Sequence, residues 1–409
     1  MNKNVPKLRF KDDNGLDYPA WEESLLKKYI VDYNETTKVN NQYEVLTSSR
    51  KGLFLQKDYF NKQIASEDNT GYTIVPRGYF TYRHMSDDSI FYFNINDLLD
   101  YGIVSTLYPV FTTNKDMNSL FLKYYLNESL AFRKYCLLQK QGGSRTYMYL
   151  KKLKEFKGEF PCLEEQGRIA NFFTVLDKLI EEQEGKVRDL EIYKKGMMQK
   201  IFKQEIRFKD DNGLDYPEWE IKKLEDISSV LSGKRVPKGE GLSDDVSGVK
   251  YITVSDMGEM YVSRDKIRYI TKEIEEKIKK YKVFTGDLII SVAGTLGKIN
   301  IIDKIFNGAN LTENCDKITE FKGVLNKYVY YYLNTSLIQN QINSANTISS
   351  QPKLALERIR KFKIKVPCLE EQIKIANFLS NIDNLKEEEQ NNLDDLRELK
   401  KGLLQRMFV

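Results

Sequence analysis

The chain has 409 residues, 41% hydrophobic and 30% charged, with a net charge of +5. That is the composition of a globular protein with room for two or three domains, and no apolar run approaches the roughly 20 residues that span a bilayer. His84 is the only histidine and the four cysteines form no CxxC pair, which excludes His-rich metal sites and leads us to expect a cytoplasmic protein with reduced thiols and no membrane contact.

In chain order, residues 1–21 form a junction segment, whose stretch RFKDDNGLDYPAW (Arg9–Trp21) carries an Asp-Asn-Gly turn signal. Residues 22–160 read as an α+β block. Its strand signals are PRGYFTYR at 76–83 and GIVSTLYPVF at 102–111. The block ends in a small polar loop, QGGSRTY from Gln141, and a short amphipathic helix through Leu150, Leu153 and Phe156. Residues 161–202 open with PCLEEQGRIANFF and read as a long helix. Residues 203–219 repeat the junction as RFKDDNGLDYPEW, with only Ala20 changed, to Glu218. A second α+β block follows at 220–366. Gly286 in FTGDLIISV matches Gly78, and the polar loop TISSQPKL from Thr347 leads to a helix through Leu356, Ile359 and Phe362. Residues 367–409 repeat the long helix, opening with PCLEEQIKIANFL.

The two long helices carry apolar heptad positions: Ile169, Phe172, Leu176, Leu179 and Leu190 in the first, and Ile375, Phe378, Ile382, Leu385, Leu396 and Leu399 in the second. Sustained a/d spacing predicts a coiled coil. Glu164, Glu165, Glu370 and Glu371 suit the positive helix N-termini, and Lys194, Lys195, Lys400 and Lys401 the negative C-termini. Polar residues interrupt both heptads at Gln183 and Lys186, and at Glu389 and Asn392. Either a parallel or an antiparallel pair would align these layers. Two copies of one plan related by a pseudo-two-fold make the pair antiparallel. The repeated junction follows the first helix, whereas the chain ends after the second. The N-terminal copy is therefore expected to close onto the C-terminus, giving a circular organisation. The fold class is thus α+β: two globular domains joined by two long antiparallel coiled-coil helices.

Motifs for catalysis are lacking. AGTLGK at 293–298 misses the phosphate-loop frame because Ile299 follows Lys298, and no GxGxxG or Pro-Pro-Tyr/Phe strip occurs. His84 sits in a strand-like aromatic run, where a surface or hydrogen-bonding role is expected. Recognition is what remains. Lys152 with Arg358, and Lys154 with Arg360, occupy equivalent places in the two copies and suit phosphate contacts.

Two variable blocks separated by helices that begin P-x-L-E-E-Q-x-x-I-A-x-F resemble the specificity subunit of type I restriction–modification systems, over nearly the whole chain. The resemblance implies a subunit without catalysis of its own. Each block would be a target-recognition domain reading one half of a bipartite, asymmetric double-stranded DNA target. The helices, of about 37 residues and roughly 55 Å each at ~1.5 Å per residue, would set the spacer. The partners would be two methyltransferase subunits and restriction/translocase subunits. S-adenosylmethionine, ATP and magnesium would belong to those partners, which would perform N6-adenine methylation and ATP-dependent restriction. Within the blocks, Arg145 and Gln351 hold matching loop positions beside Ser144 and Ser350; arginine suits guanine and glutamine adenine. Arg50, Lys51, Arg83, Lys234, Arg235, Thr295, Lys298 and Lys353 are further candidates for phosphate or base contact, and Tyr82 for base contact or packing. The alternatives are a coiled-coil protein–protein adaptor and a cryptic DNA-modifying enzyme.

Overall fold

The structure is a computed structural model, and it describes residues 6–60, 67–140, 145–265, 267–344 and 353–408. The chain divides into two compact units, one of Met1–Glu184 with Gln390–Val409 and one of Gly185–Glu389. Two long helices, Leu163–Phe202 and Leu369–Met407, each contribute to both units, so neither helix is a domain by itself.

The first unit is built on an antiparallel four-stranded sheet, ordered Ile30–Tyr33, Val110–Thr113, Phe80–Thr81, Asn94–Ile95. Phe80 stacks on Phe111 with ring centroids 4.6 Å apart. Helices Ser119–Glu128 and Leu130–Leu138 cover this face with Phe121 and Phe132, and are capped by Asn118 and Ser129. A hairpin, Leu46–Ser49 with Gly52–Leu55, and the ladder Thr73–Pro76 with Tyr101–Val104 enclose a smaller core of Leu46, Leu53, Val75 and Val104. The 102–111 stretch is therefore two strands. Tyr108 N–H donates to the Ser105 carbonyl at 2.9 Å, and Pro109, with no N–H, cannot continue a ladder.

The second unit repeats this sheet order with Ser229–Ser232, Cys315–Thr319, Leu288–Ser291 and Ile299–Ile301. Helices Asn326–Leu333 and Ser336–Asn343 take the place of the first unit's pair. An added three-stranded sheet, Arg268–Ile270, Val249–Ile252 and Asn310–Leu311, packs Tyr251 and Ile270 against Ile274 and Ile278 of helix Lys272–Ile278.

The repeated sequences build the same joint in each unit. In the first, Glu165 is fully buried, 2.7 Å from the Arg9 guanidinium and 3.2 Å from the Trp21 indole N–H. In the second, Glu371 is fully buried, 2.9 Å from both Arg207 and the Trp219 indole. Gln166 and Gln372, the next residues, accept from the backbone of Asn118 and Leu325 and donate to the Pro161 and Pro367 carbonyls. Arg168 pairs with Asp13, as Lys374 does with Asp211. Phe10 packs edge-on against Phe172 at 5.5 Å, and Phe208 against Phe378 at 5.7 Å. A short antiparallel pair, Glu22–Leu25 with Lys157–Phe160 or Glu220–Lys223 with Lys363–Val366, then closes each block.

The helices run antiparallel within each unit. In the first, Asp177 meets Lys400, and Glu184 meets Arg397 at 2.6 Å. In the second, Lys194 meets Asp383. The circular expectation also holds. Leu8 N–H donates to the Arg406 carbonyl at 3.2 Å, as Ile206 N–H does to Lys200 at 3.4 Å. Trp219 faces Phe202 with centroids 6.5 Å apart, whereas Trp21 reaches Phe408 through Phe121. Met1 and Val409 themselves lie outside the described residues.

The heptad assignment is corrected. Ile169, Leu176, Ile375 and Ile382 are buried, and Leu190, Phe378 and Leu396 partly so. Phe172, Leu179, Leu385 and Leu399 are exposed, and Phe173, Leu379, Leu393 and Leu404 are buried instead. Ile169, Leu176, Ile375 and Ile382 keep their place in the seam, while Phe172 and Phe378, which hold the junction aromatics, give way to Phe173 and Leu379.

Candidate nucleic-acid interface

Three separate stretches of the first unit meet at one groove. The hairpin turn brings Arg50 and Lys51, the segment after Phe80–Thr81 brings Arg83 to Tyr92, and the short strand Thr146–Tyr147, itself outside the lining, pairs with Met85–Ser86 and sets Arg145 on Asp87 at the groove's edge. The groove is about 480 Å³, lined by Ser49, Arg50, Lys51, Arg83, Asp87 and Tyr92 among others.

Arg50 lies 2.6 Å from Asp88 and over the Tyr92 ring. Asp88 also accepts from the Ser86 hydroxyl at 2.7 Å. The Arg50 guanidinium, then the Ser86 hydroxyl, hold the Asp88 carboxyl down at about 2. Arg145 donates to Asp87 at 2.9 Å. Lys51 and Arg83 are exposed and carry no ion pair among the described residues. Tyr147 and Tyr149 stack beside Arg145, with His84 on Tyr149 at 5.0 Å. His84 is buried and its Nδ1 faces the Leu107 carbonyl, so it has a hydrogen-bonding role.

Tyr82 is withdrawn from the contact candidates. It is fully buried against Phe93, with its hydroxyl donating to the Met148 carbonyl at 2.9 Å. Lys154 is committed to Asp32 at 2.6 Å, and its counterpart Arg360 to the Val230 carbonyl and Glu357. Arg358 donates to the Gln341 carbonyl at the end of helix Ser336–Asn343. Lys154 and Arg360, at equivalent places, thus tie the last short helix of each block to its neighbour, as Arg358 does in the second block alone. Lys152, half-buried, accepts the Tyr135 hydroxyl on its carbonyl.

In the second unit, the bridge between Ala293 and Lys353 stands where the Thr146–Tyr147 pairing stands in the first. Around it lie Thr295, Lys353 and the 312–314 turn, whose Asn314 carbonyl accepts from Val292 N–H. Lys234 and Arg235 follow Gly233, whose N–H donates to the Cys315 carbonyl, and Arg235 pairs with Glu313. A Cβ on Gly233 would lie 2.0 Å from the Thr312 carbonyl oxygen, so this close approach requires glycine. Lys298 is spent on the Met257 carbonyl. Asp316 is buried near Lys353 and Arg360, and burial raises its carboxyl to about 6 against Ser232 and those cations. Ser144, Ser350 and Gln351 lie outside the described residues.

The acidic partners Asp87, Asp88 and Glu313 escape a reading that searches for cations alone; the acid pair that begins four residues after Arg83 is the signal for the first two. Among the described residues, no group of His, Cys, Asp or Glu could hold a metal ion, and no helix is long and apolar enough to cross a membrane.

The family model for the type I restriction modification DNA specificity domain matches twice, at residues 22–191 and 216–395. The MjaVIII type I restriction enzyme specificity subunit of Methanocaldococcus jannaschii is 26% identical over 314 residues, 74% of this chain and 72% of that protein. The EcoBI specificity subunit of Escherichia coli is 23% identical over 42% of this chain and 37% of its own length. The crystal structure of the type I restriction–modification S subunit from M. genitalium superposes with a TM-score of 0.57 at 14% identity, covering 99% of both chains. A chain from work on complex assembly and conformational transition of the type I R-M system gives 0.57 at 17% identity, covering 95% of this chain and 98% of that one. Two copies of one domain plan, each matched by the same family model, make this chain a member of the type I restriction–modification DNA specificity family.

Proposed function

We propose that each block reads one half of a bipartite, asymmetric DNA target, and that the long helices set the spacer and dock methyltransferase subunits. With restriction/translocase subunits the complex directs N6-adenine methylation and ATP-dependent restriction in the cytoplasm. S-adenosylmethionine, ATP and magnesium act on those partners. The observation that carries this reading is one scaffold used twice with unlike polar rims: Arg50, Lys51, Arg83 and Arg145 on one, Lys234, Arg235 and Lys353 on the other. Identical readers would select a palindrome, and unlike readers select unlike half-sites. Docking is supported by an apolar stripe left exposed on the first long helix at Phe172, Val175 and Leu179.

The test is single-molecule methylome sequencing of cells expressing the chain with its methyltransferase partner. One bipartite motif with N6-methyladenine in each half is expected; a palindrome or no motif overturns the reading. Exchange of residues 22–160 for another block should change one half-site alone. Equal heptad deletions from both helices should change the gap.

A further inference from the structure

Both units contain the same three-part device at positions that do not correspond. In the first, the Ser86 hydroxyl fixes Asp88, and Asp88 holds Arg50. In the second, the Thr312 hydroxyl donates to Glu313 at 3.0 Å, and Glu313 holds Arg235. Arg50 sits on the hairpin turn between Leu46–Ser49 and Gly52–Leu55, whereas Arg235 follows the first strand of the other unit's sheet. The shared scaffold therefore does not account for the recurrence. Stability does not account for it either: the arginine side chains are 56% and 78% exposed, and exposed ion pairs contribute little to folding.

The pairing also sorts the cations by task. A guanidinium neutralised by a carboxylate grips phosphate poorly, but it keeps directed N–H donors that suit guanine O6 and N7. Lys51 and Arg83 in one unit, and Lys234 and Lys353 in the other, carry no ion pair among the described residues. Their full charge suits phosphate, which positions a protein without reading sequence.

We propose that Asp88 and Glu313 are positioning residues for specificity: each orients one arginine, Arg50 or Arg235, to read a guanine in its half-site. This rests on the DNA-reading function proposed above. Asp88 stays ionised well below neutral pH, held by Arg50 and Ser86, so the device is set throughout the physiological range.

The test uses the full chain with its methyltransferase partner and a library of randomised duplexes, with D88N and E313Q as variants. Each should relax one base position of one half-site, a different half for each variant, by roughly tenfold in discrimination. The other half-site, the melting temperature and the salt dependence should stay as in the parent. K51A and K234A should instead weaken binding evenly across sequences and reduce the salt slope by about 1. Should D88N or E313Q fail to fold, R50A and R235A must relax the same single positions. A parent with a bipartite motif whose preference none of these four variants alters, or alters only uniformly, overturns the proposal alone. A parent without a bipartite motif overturns the underlying function.

Discussion

A carboxylate wholly shielded from water is tolerated only when its oxygens are paired. Glu165 meets this with Arg9 and Trp21, and Glu371 with Arg207 and Trp219. Removing either acid leaves an indole N–H without its partner and a largely buried guanidinium held chiefly by backbone carbonyls, those of Pro19 for Arg9 and of Tyr216 and Pro217 for Arg207. Glu165→Ala and Glu371→Ala should each cost about 3 kcal/mol. Glu370→Ala, one residue from Glu371 but exposed, should cost less than about 1 kcal/mol. Calorimetric melting of the three variants checks the order. Asp316 gives a pH-dependent counterpart. Its folded carboxyl titrates near 6, above the ordinary value of 3.8, because burial disfavours the charge. A raised carboxyl contributes stability that is fully present below the unfolded value and is lost as pH rises through about 6. Asp316→Asn should therefore stabilise the chain at pH 7 by about 1–2 kcal/mol and have little effect near pH 4. Urea denaturation at both pH values measures it.

At the scale of the element, the long helices show which residue of an apolar pair faces inward. Phe173→Ala and Leu379→Ala, both fully buried, should cost about 3 kcal/mol or more, whereas Leu179→Ala and Leu385→Ala, 46% and 50% exposed, should cost well under 1 kcal/mol. Chemical denaturation separates the two classes. Helices, junctions and antiparallel direction were legible because the repeat and the apolar spacing are properties of the chain itself. The inward face was not. Phe172–Phe173 offers two registers one residue apart, and contacts distant in sequence decide between them: Phe10 edge-on to Phe172, and Tyr124 and Phe408 against Phe173. Glu164 and Glu165 both suit a helix N-terminus by charge, and which one is buried depends on Arg9, distant in sequence. The candidate interface was legible as a set of cations but not as a set of pairs. Lys154 and Arg360 matched in sequence because they anchor the same short helix, while Arg50 and Arg235 have no sequence correspondence at all.

At the scale of the whole molecule, the buried ion pair and the backbone bond of the repeat are the same at a covalent junction and at a broken one. The segment after Phe202 continues through the peptide chain into Arg207 and Trp219; the segment after Phe408 is continued by Leu8, Arg9 and Trp21 without a bond. A permutant that links residue 409 to residue 1 by a short flexible segment and opens between Lys203 and Arg207 should fold with a melting temperature within several degrees of the parent. It should also yield the same methylation motif in cells. A permutant that aggregates or loses the motif would contradict the equivalence of the two joints.

The joint between Leu8 and Arg406 also sets the order in which the protein can be completed during synthesis. The second unit needs only Gly185–Glu389, one uninterrupted stretch. The first needs Leu404, Met407 and Phe408 to cover Ile169 and Phe173, and these residues follow the whole of the second unit in the chain. The unit begun first is thus completed only after the second has been made, its apolar seam open to solvent, chaperones and neighbouring nascent chains until then.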